Sequence, residues 1–348
     1  MKKMIYYVLA VSLMLGLYGC GNRTGGENGT AGGEQDTLRF GVLIYKFDDT
    51  YISTVRQAIQ DYAEKSNVSI KLDMQDAQGD QAKQNDQLDV LINKNVDVLL
   101  INAVDAGSAQ GLADKAKAAQ IPAIFFNREP DKSVMESCGG IFIGTTASEA
   151  GTMQGDLLAD LWGKNPALDL NGDGVCQYLV FKGEPGNPEA EARTTYSVKQ
   201  AEARGMKMEN INAGGALVSN WATDQAQTQM EAMLAANKGK IEAVFCNNDD
   251  MALGVIAALN SEGYNLDRNS ENWIPVIGVD ATEAGVAAIN AGKMAATVKQ
   301  DGDAMGKAIV EIATNAAQGK DYTEGTDYEI AADGVSIRIP YVPFTAEQ

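Results

Sequence analysis

Short apolar runs alternate with longer amphipathic stretches from Leu38 onward, and this alternation limits the fold more than any other feature of the chain. Apolar runs too short for helices read as buried parallel strands, and the amphipathic stretches between them read as the helices that cover such a sheet. A first set predicts strands over 38–45, 69–74, 97–102, 123–127 and 141–144, with helices over 52–65, 80–94 and 108–119. A second predicts strands over 177–182, 207–213, 243–247, 276–279 and 295–299, with helices over 188–204, 224–237, 250–260 and 283–291. The sets correspond element by element, so the expected class is α/β, with two similar doubly wound parallel-sheet lobes of Rossmann-like build. The 348 residues, 45% of them hydrophobic, suffice for two cores.

A helix over 304–318 and a strand over 336–339 remain once the second lobe is complete. If this tail returns to the first lobe and then crosses back, the lobes are joined near Thr145, Gln300 and Arg338, and three short crossings make a hinge. The first lobe is then 37–145 with 301–337, and the second 146–300 with 338–348.

The N-terminus sets Lys2 and Lys3 before an apolar run that ends at Leu17-Tyr18-Gly19-Cys20, the layout of a secretory signal over 1–19. The last four residues match a bacterial lipobox, which makes Cys20 the expected lipidation site and the membrane a partner through acyl chains. Residues 20–36, rich in Gly, Asn and Thr, read as a flexible tether. The formal net charge of −19 argues against nucleic acid as a partner. The chain contains no His, which removes Ser-His-Asp triads, His acid–base catalysis and the usual zinc sites. With Cys20 assigned to lipid, Cys138, Cys176 and Cys246 read as three unpaired thiols.

Ligands of open parallel sheets bind beyond the carboxyl ends of the strands, and those ends are repeatedly polar here. They include Asp48 and Asp49, Asn102, Asn127 with Arg128, Asn187 and Glu189, Asn247 and Asn248, Asp280, and Gln300. Asp and Asn at such positions also cap the helices that follow. A cleft of carboxylates and amides from both lobes suits a ligand rich in hydroxyls, whereas an anion calls for glycine-rich helix N-termini or clustered Lys and Arg. Tyr51 and Trp221 supply flat faces for the C–H surface of a sugar ring. Separately, 169–174 reads D-x-N-x-D-G, the start of a calcium loop, but an EF-hand needs Glu at the twelfth position and Val180 stands there.

These stretches carry a resemblance. Tyr45-Lys46-Phe47-Asp48-Asp49, Phe125-Phe126-Asn127-Arg128-Glu129-Pro130, Lys182-Gly183-Glu184-Pro185-Gly186, Glu189-Ala190-Glu191-Ala192-Arg193 and Gly278-Val279-Asp280-Ala281 resemble the galactose/glucose-binding proteins of bacterial ABC importers, which have the type I periplasmic binding protein fold. The resemblance implies sugar contacts from Asp49, Asn102, Arg193, Asn248 and Asp280, a ring held between Tyr51 and Trp221, and Gln300 where the family has Asn. Asn187 and Glu189 replace the family's His and Asp, which leaves galactose against glucose open; an i,i+4 ion pair with Arg193 is the alternative role for Glu189. It also implies Ca2+ held by Asp169, Asn171, Asp173, the Val175 carbonyl, Gln177 and Glu242, with a plain Asx turn as the alternative. The expected protein is a monomeric, lipid-anchored, extracytoplasmic receptor that delivers a neutral aldohexose to an ABC transporter permease. A sensor that presents its closed form to a chemoreceptor and a carbohydrate-active enzyme are the competing functions.

Overall fold

The computed structural model describes residues 37–346; the signal, Cys20 and the tether expected over 20–36 lie outside the described residues. The first sheet is built from β1 (Leu38–Ile44), β2 (Ile70–Asp76), β3 (Val98–Ile101), β4 (Ala123–Phe126) and β5 (Ile141–Gly144). Between these strands run α1 (Thr50–Glu64), α2 (Gln81–Asn93), α3 (Ala109–Ala118) and α4 (Lys132–Cys138). After α5 (Ala147–Lys164), the second sheet takes β6 (Val175–Lys182), β7 (Lys207–Asn210), β8 (Leu217–Val218), β9 (Ala243–Cys246), β10 (Val276–Asp280) and β11 (Ala296–Gln300). Its helices are α6 (Pro188–Ala203), α7 (Thr223–Ala236), α8 (Asp249–Ser261) and α9 (Glu283–Asn290). The chain ends with α10 (Gly302–Ala317), β12 (Ser336–Arg338) and β13 (Tyr341–Thr345).

The strand orders are β12-β5-β4-β3-β1-β2 and β13-β11-β10-β9-β6-β7, with β8 added beside β6. They are the same order twice, the doubly wound pattern in which the sheet reverses direction beside its first strand. Alternation along β1 shows how each core is filled. Phe40, Val42 and Ile44 pack with Val55 and Ile59 of α1 and Ile309 of α10, whereas Leu43 packs with Leu88 of α2 and Leu112 of α3. In the second sheet Leu179 and Phe181 face α7 and α8, and Tyr178 and Val180 face Leu158 of α5. The chain passes between sheets three times: from β5 to α5, from β11 to α10, and from β12 to β13. Cys138, Cys176 and Cys246 are free thiols.

Four elements differ from expectation, the first being the two-residue β8 beside β6. The helix α5 carries acidic Glu149 in its first turn and Lys164 in its last, favourable for the helix dipole. Its buried face is Ala150, Gly151, Gln154, Gly155 and Leu158, so the usual row of large apolar residues is missing. The reason lies in packing: a Cβ on Gly155 would overlap the Ser197 carbonyl and Gln200 of α6, so small residues let the two helices touch. The short α4 also lacks a long apolar period. Finally, β13 joins the second sheet antiparallel to β11, from Gln300↔Tyr341 to Ala296↔Thr345, which makes that sheet mixed; Pro343 is tolerated because β13 is an edge.

Candidate ligand site

The carboxyl ends of both sheets open on one cavity of about 370 Å³, mouth included. Asp49, Tyr51, Asn187, Glu189, Arg193, Trp221, Asn248, Asp280 and Gln300 all line it, so nine of the ten residues singled out in the sequence meet in one place. Tyr45, Ile52, Asn127 and Arg128 line it as well. Asn102 does not. It is fully buried behind the wall, where its Oδ1 accepts from the Tyr45 amide and its Nδ2 donates to the Phe126 carbonyl and to Asn127 Oδ1. Its role is to tie the ends of β1, β3 and β4 together, because an amide at the end of a central strand meets backbone on both sides.

Capping and cavity lining coincide. Asp49 Oδ1 accepts from the Ile52 amide (2.7 Å), Asn187 Oδ1 from Ala190 (3.0 Å) and Asn248 Oδ1 from Met251 (3.0 Å). Each cap fixes one side-chain oxygen on the first turn of a helix and so sets the direction of the remaining polar atom. Asn127, Trp221 and Asp280 are held at φ of 61°, 66° and 119°, a region costly for residues other than Gly. These three residues place their side chains on the wall, and other residues at positive φ, such as Gln78, Asn95 and Gln120, lie away from it. Gly183 holds the Trp221 indole in place, since a Cβ there would overlap the ring.

Arg193 is 3% exposed and is the central cation. Its Nη1 donates to the Asn247 carbonyl (2.7 Å), and its Nη2 donates to Gln300 Oε1 (2.9 Å) and the Tyr341 hydroxyl (2.8 Å). Asp280 Oδ1 stands 3.9 Å from Nη1. Burial pushes the Asp280 carboxyl well above the ordinary range, Arg193 pulls it down, and the nearby Asp249 raises it further. Glu189 and Arg193 share a helix face but form no ion pair within 4.0 Å: neither Glu189 oxygen has a hydrogen-bond partner in the protein. Burial raises the Glu189 carboxyl to about 7, with Arg193 opposing. Buried polar atoms are normally paired. Here Glu189 Oε1 and Oε2, Arg193 Nε, Trp221 Nε1 and Gln300 Nε2 are buried without partners, and all belong to residues of this one wall.

Arg128 was legible only as part of a polar strand end. It is almost wholly buried, lies over the Tyr45 ring at 3.5 Å from the centroid, donates to the Val104 carbonyl (2.7 Å) and pairs with Glu184 of the opposite lobe.

The acidic loop before β6 folds on itself. Asp169 accepts from the Gly172 and Gly174 amides, and Asp173 Oδ1 from Val175. Asn171 Nδ2 and Gln177 Nε2 lie 3.0 and 3.1 Å from Asp173 Oδ2. Glu242, from the segment before β9, accepts from Leu170 (2.6 Å) and Gln177 (3.0 Å). The six expected calcium residues are therefore joined in one hydrogen-bonded loop. Among the described residues no group of three or more His, Cys, Asp or Glu side chains converges closely enough to hold a metal ion. A cation here would depend on amide and carbonyl oxygens as well as carboxylates.

Two parallel-sheet lobes on three crossings, closed around a polar cavity, define a two-lobed solute-binding protein. Residues 40–321 match the periplasmic binding protein domain, and the chain belongs to that family, whose members work outside the cytoplasm. It is 42% identical over 306 residues to the D-galactose/methyl-galactoside binding periplasmic protein MglB of Haemophilus influenzae, covering 87% of this chain and 88% of that one. It is 27% identical over 321 residues to the ribose import binding protein RbsB of Bacillus subtilis, 92% of this chain and 95% of the relative. Among solved structures, an ABC transporter solute binding protein from Bacillus halodurans with bound myo-inositol matches with a TM-score of 0.74 and 27% identity, over 90% of this chain and 96% of that one. These relatives are binding proteins.

Proposed function

We propose that the chain is the receptor of an ABC importer for a neutral aldohexose, galactose or glucose. The observation that carries this reading is the set of unpartnered atoms on the cavity wall: two acceptors on Glu189 and donors on Arg193, Trp221 and Gln300. Hydroxyls both donate and accept, so one polyol can satisfy the whole set. A phosphate or carboxylate would meet Asp49, Glu189 and Asp280, and a hydrocarbon would leave every orphan unpaired. The hexose in preference to a pentose rests on the relative named for D-galactose and methyl-galactoside. Mass spectrometry of ligand carried through purification tests the reading: a hexose is expected, and an anionic or apolar ligand would overturn it.

Two further parts belong to the same reading. The loop at 169–177 with Glu242 would hold Ca2+ through Asp169, Asn171, Asp173, Gln177, Glu242 and the Val175 carbonyl. The donor set fits: these are hard oxygen ligands, and turning the Asn171 and Gln177 amides about their last torsions presents oxygen in place of nitrogen to Asp173. An ion there would supply only stability to the second lobe. Cys20 would carry the acyl chains that hold the protein on the membrane, because the apolar leader ends in Leu17-Tyr18-Gly19-Cys20. Cys20→Ser should release the protein from the membrane fraction; unchanged fractionation would refute anchoring.

A further inference from the structure

Thr145, Gln300 and Tyr341 stand at the three crossings, one at each; the Arg193 guanidinium donates to Gln300 and Tyr341, and Thr145 reaches it only through the Tyr341 hydroxyl. Arg193 Nη2 donates to Gln300 Oε1 (2.9 Å) and to the Tyr341 hydroxyl (2.8 Å), and that hydroxyl also accepts from Thr145 Oγ1 (2.9 Å). Gln300 and Tyr341 are paired across β11 and β13 as well. Tyr341 is 3% exposed and does not line the cavity. Its ring packs with Ala150, Val279 and Val298, apolar neighbours that a Phe would fill as well. The hydroxyl therefore adds nothing to the packing. Its oxygen serves two donors, one of them the only Arg on the second-lobe wall of the cavity.

We propose that Tyr341 is a positioning residue for ligand binding, whose hydroxyl oxygen fixes the plane of the Arg193 guanidinium so that Nε–H faces the ligand. A guanidinium is planar and presents its N–H groups in a fixed fork, so holding Nη1 and Nη2 determines where Nε points. Nη1 is held by the Asn247 carbonyl. Nη2 is held by Gln300 and Tyr341, but Gln300 is itself on the wall with Nε2 unpartnered. A ligand that pulls on Gln300 would let the guanidinium swing if Tyr341 did not hold it. The Nε that this arrangement points is buried and has no partner in the protein. The inference rests on the reading of the cavity as a hexose site.

The test is calorimetric titration of full-length wild type, Tyr341→Phe and Thr145→Val with galactose, glucose and their monodeoxy analogues. Circular dichroism of the ligand-free variants checks that they fold. Hydrogen bonds to charged groups contribute enough that Tyr341→Phe should weaken the preferred hexose about tenfold or more. The loss should shrink to about twofold or less for the one deoxy sugar that lacks the hydroxyl met by Nε, the signature of a shared interaction. Thr145→Val, which leaves the Arg193–Tyr341 bond intact, should cost less than about threefold. Wild-type affinity in Tyr341→Phe, an equal loss across every deoxy sugar, or an equal loss in Thr145→Val would overturn the inference. Wild-type protein that binds no hexose would overturn the reading beneath it.

Discussion

Arg128 and Glu184 meet across the mouth of the cleft, one from each lobe, with Nη1 2.9 Å from Oε2. A second direct contact runs beside it, from Thr50 Oγ1 to Asp250 Oδ2 at 2.7 Å. Both residues of the first lobe lie in loops or helix starts beyond strand ends, and the Arg128 guanidinium is backed by the Tyr45 ring. The lobes therefore touch each other directly beside the cavity.

Because Glu184 is partly exposed, its pair with Arg128 is worth about 1 kcal/mol at most. Glu184→Gln should accordingly lower hexose affinity about threefold to fivefold and shift the ligand-free protein toward an open form, read by small-angle scattering. Unchanged affinity and scattering would show that the pair contributes nothing to closure.

The cavity wall explains much of what the sequence reveals. Asp49, Asn187 and Asn248 were legible because a cap at the start of a helix after a strand necessarily sits at the carboxyl edge of a parallel sheet. Asn102 looked the same in sequence but points sideways into backbone, a difference of side-chain direction that no pattern records. Arg128 stood in plain view after β4, and its pairing with Glu184 depends on how the lobes close. Tyr341 and α5 were hidden for another reason: the one acts through a contact with Arg193, and the other buries Gly, Ala and Gln where a reader looks for Leu.

Glu189 should leave a signature in pH. Its carboxyl is raised from 4.5 to about 7 by burial, so between those values the folded protein holds a proton that the unfolded chain has released. Its contribution is fully present below about pH 4.5 and is lost as pH rises through about 7. Relative to Glu189→Gln, wild-type stability should decline across that window in denaturant titrations at several pH values. Sugar hydroxyls donating to the carboxylate would favour its charged form, so binding near pH 7 should release protons, seen as buffer-dependent heat. Parallel stability curves for the two proteins would contradict the assignment.

Gly183→Ala should displace the Trp221 indole, since the added methyl occupies the ring's position. Affinity should fall about tenfold or more, as for the loss of a well-packed aromatic contact, and the fluorescence response to sugar should diminish. Wild-type affinity in this variant would mean that the indole does not touch the ligand.

Calcium should stabilise the second lobe. At a free concentration about a hundredfold above its dissociation constant, linkage gives ~2.7 kcal/mol, lost on addition of chelator and absent from Asp173→Ala. A melting temperature indifferent to chelator in the wild type would refute the site.

Calorimetric titration of ligand-stripped protein with galactose, glucose, ribose, xylose and a hexose phosphate tests the central claim most directly. The orphaned acceptors on Glu189 and donors on Arg193, Trp221 and Gln300 predict that one or both aldohexoses bind at about micromolar concentration or tighter and that the phosphate does not bind. Tight binding of the phosphate or of a pentose, with neither hexose binding below about millimolar, would contradict it.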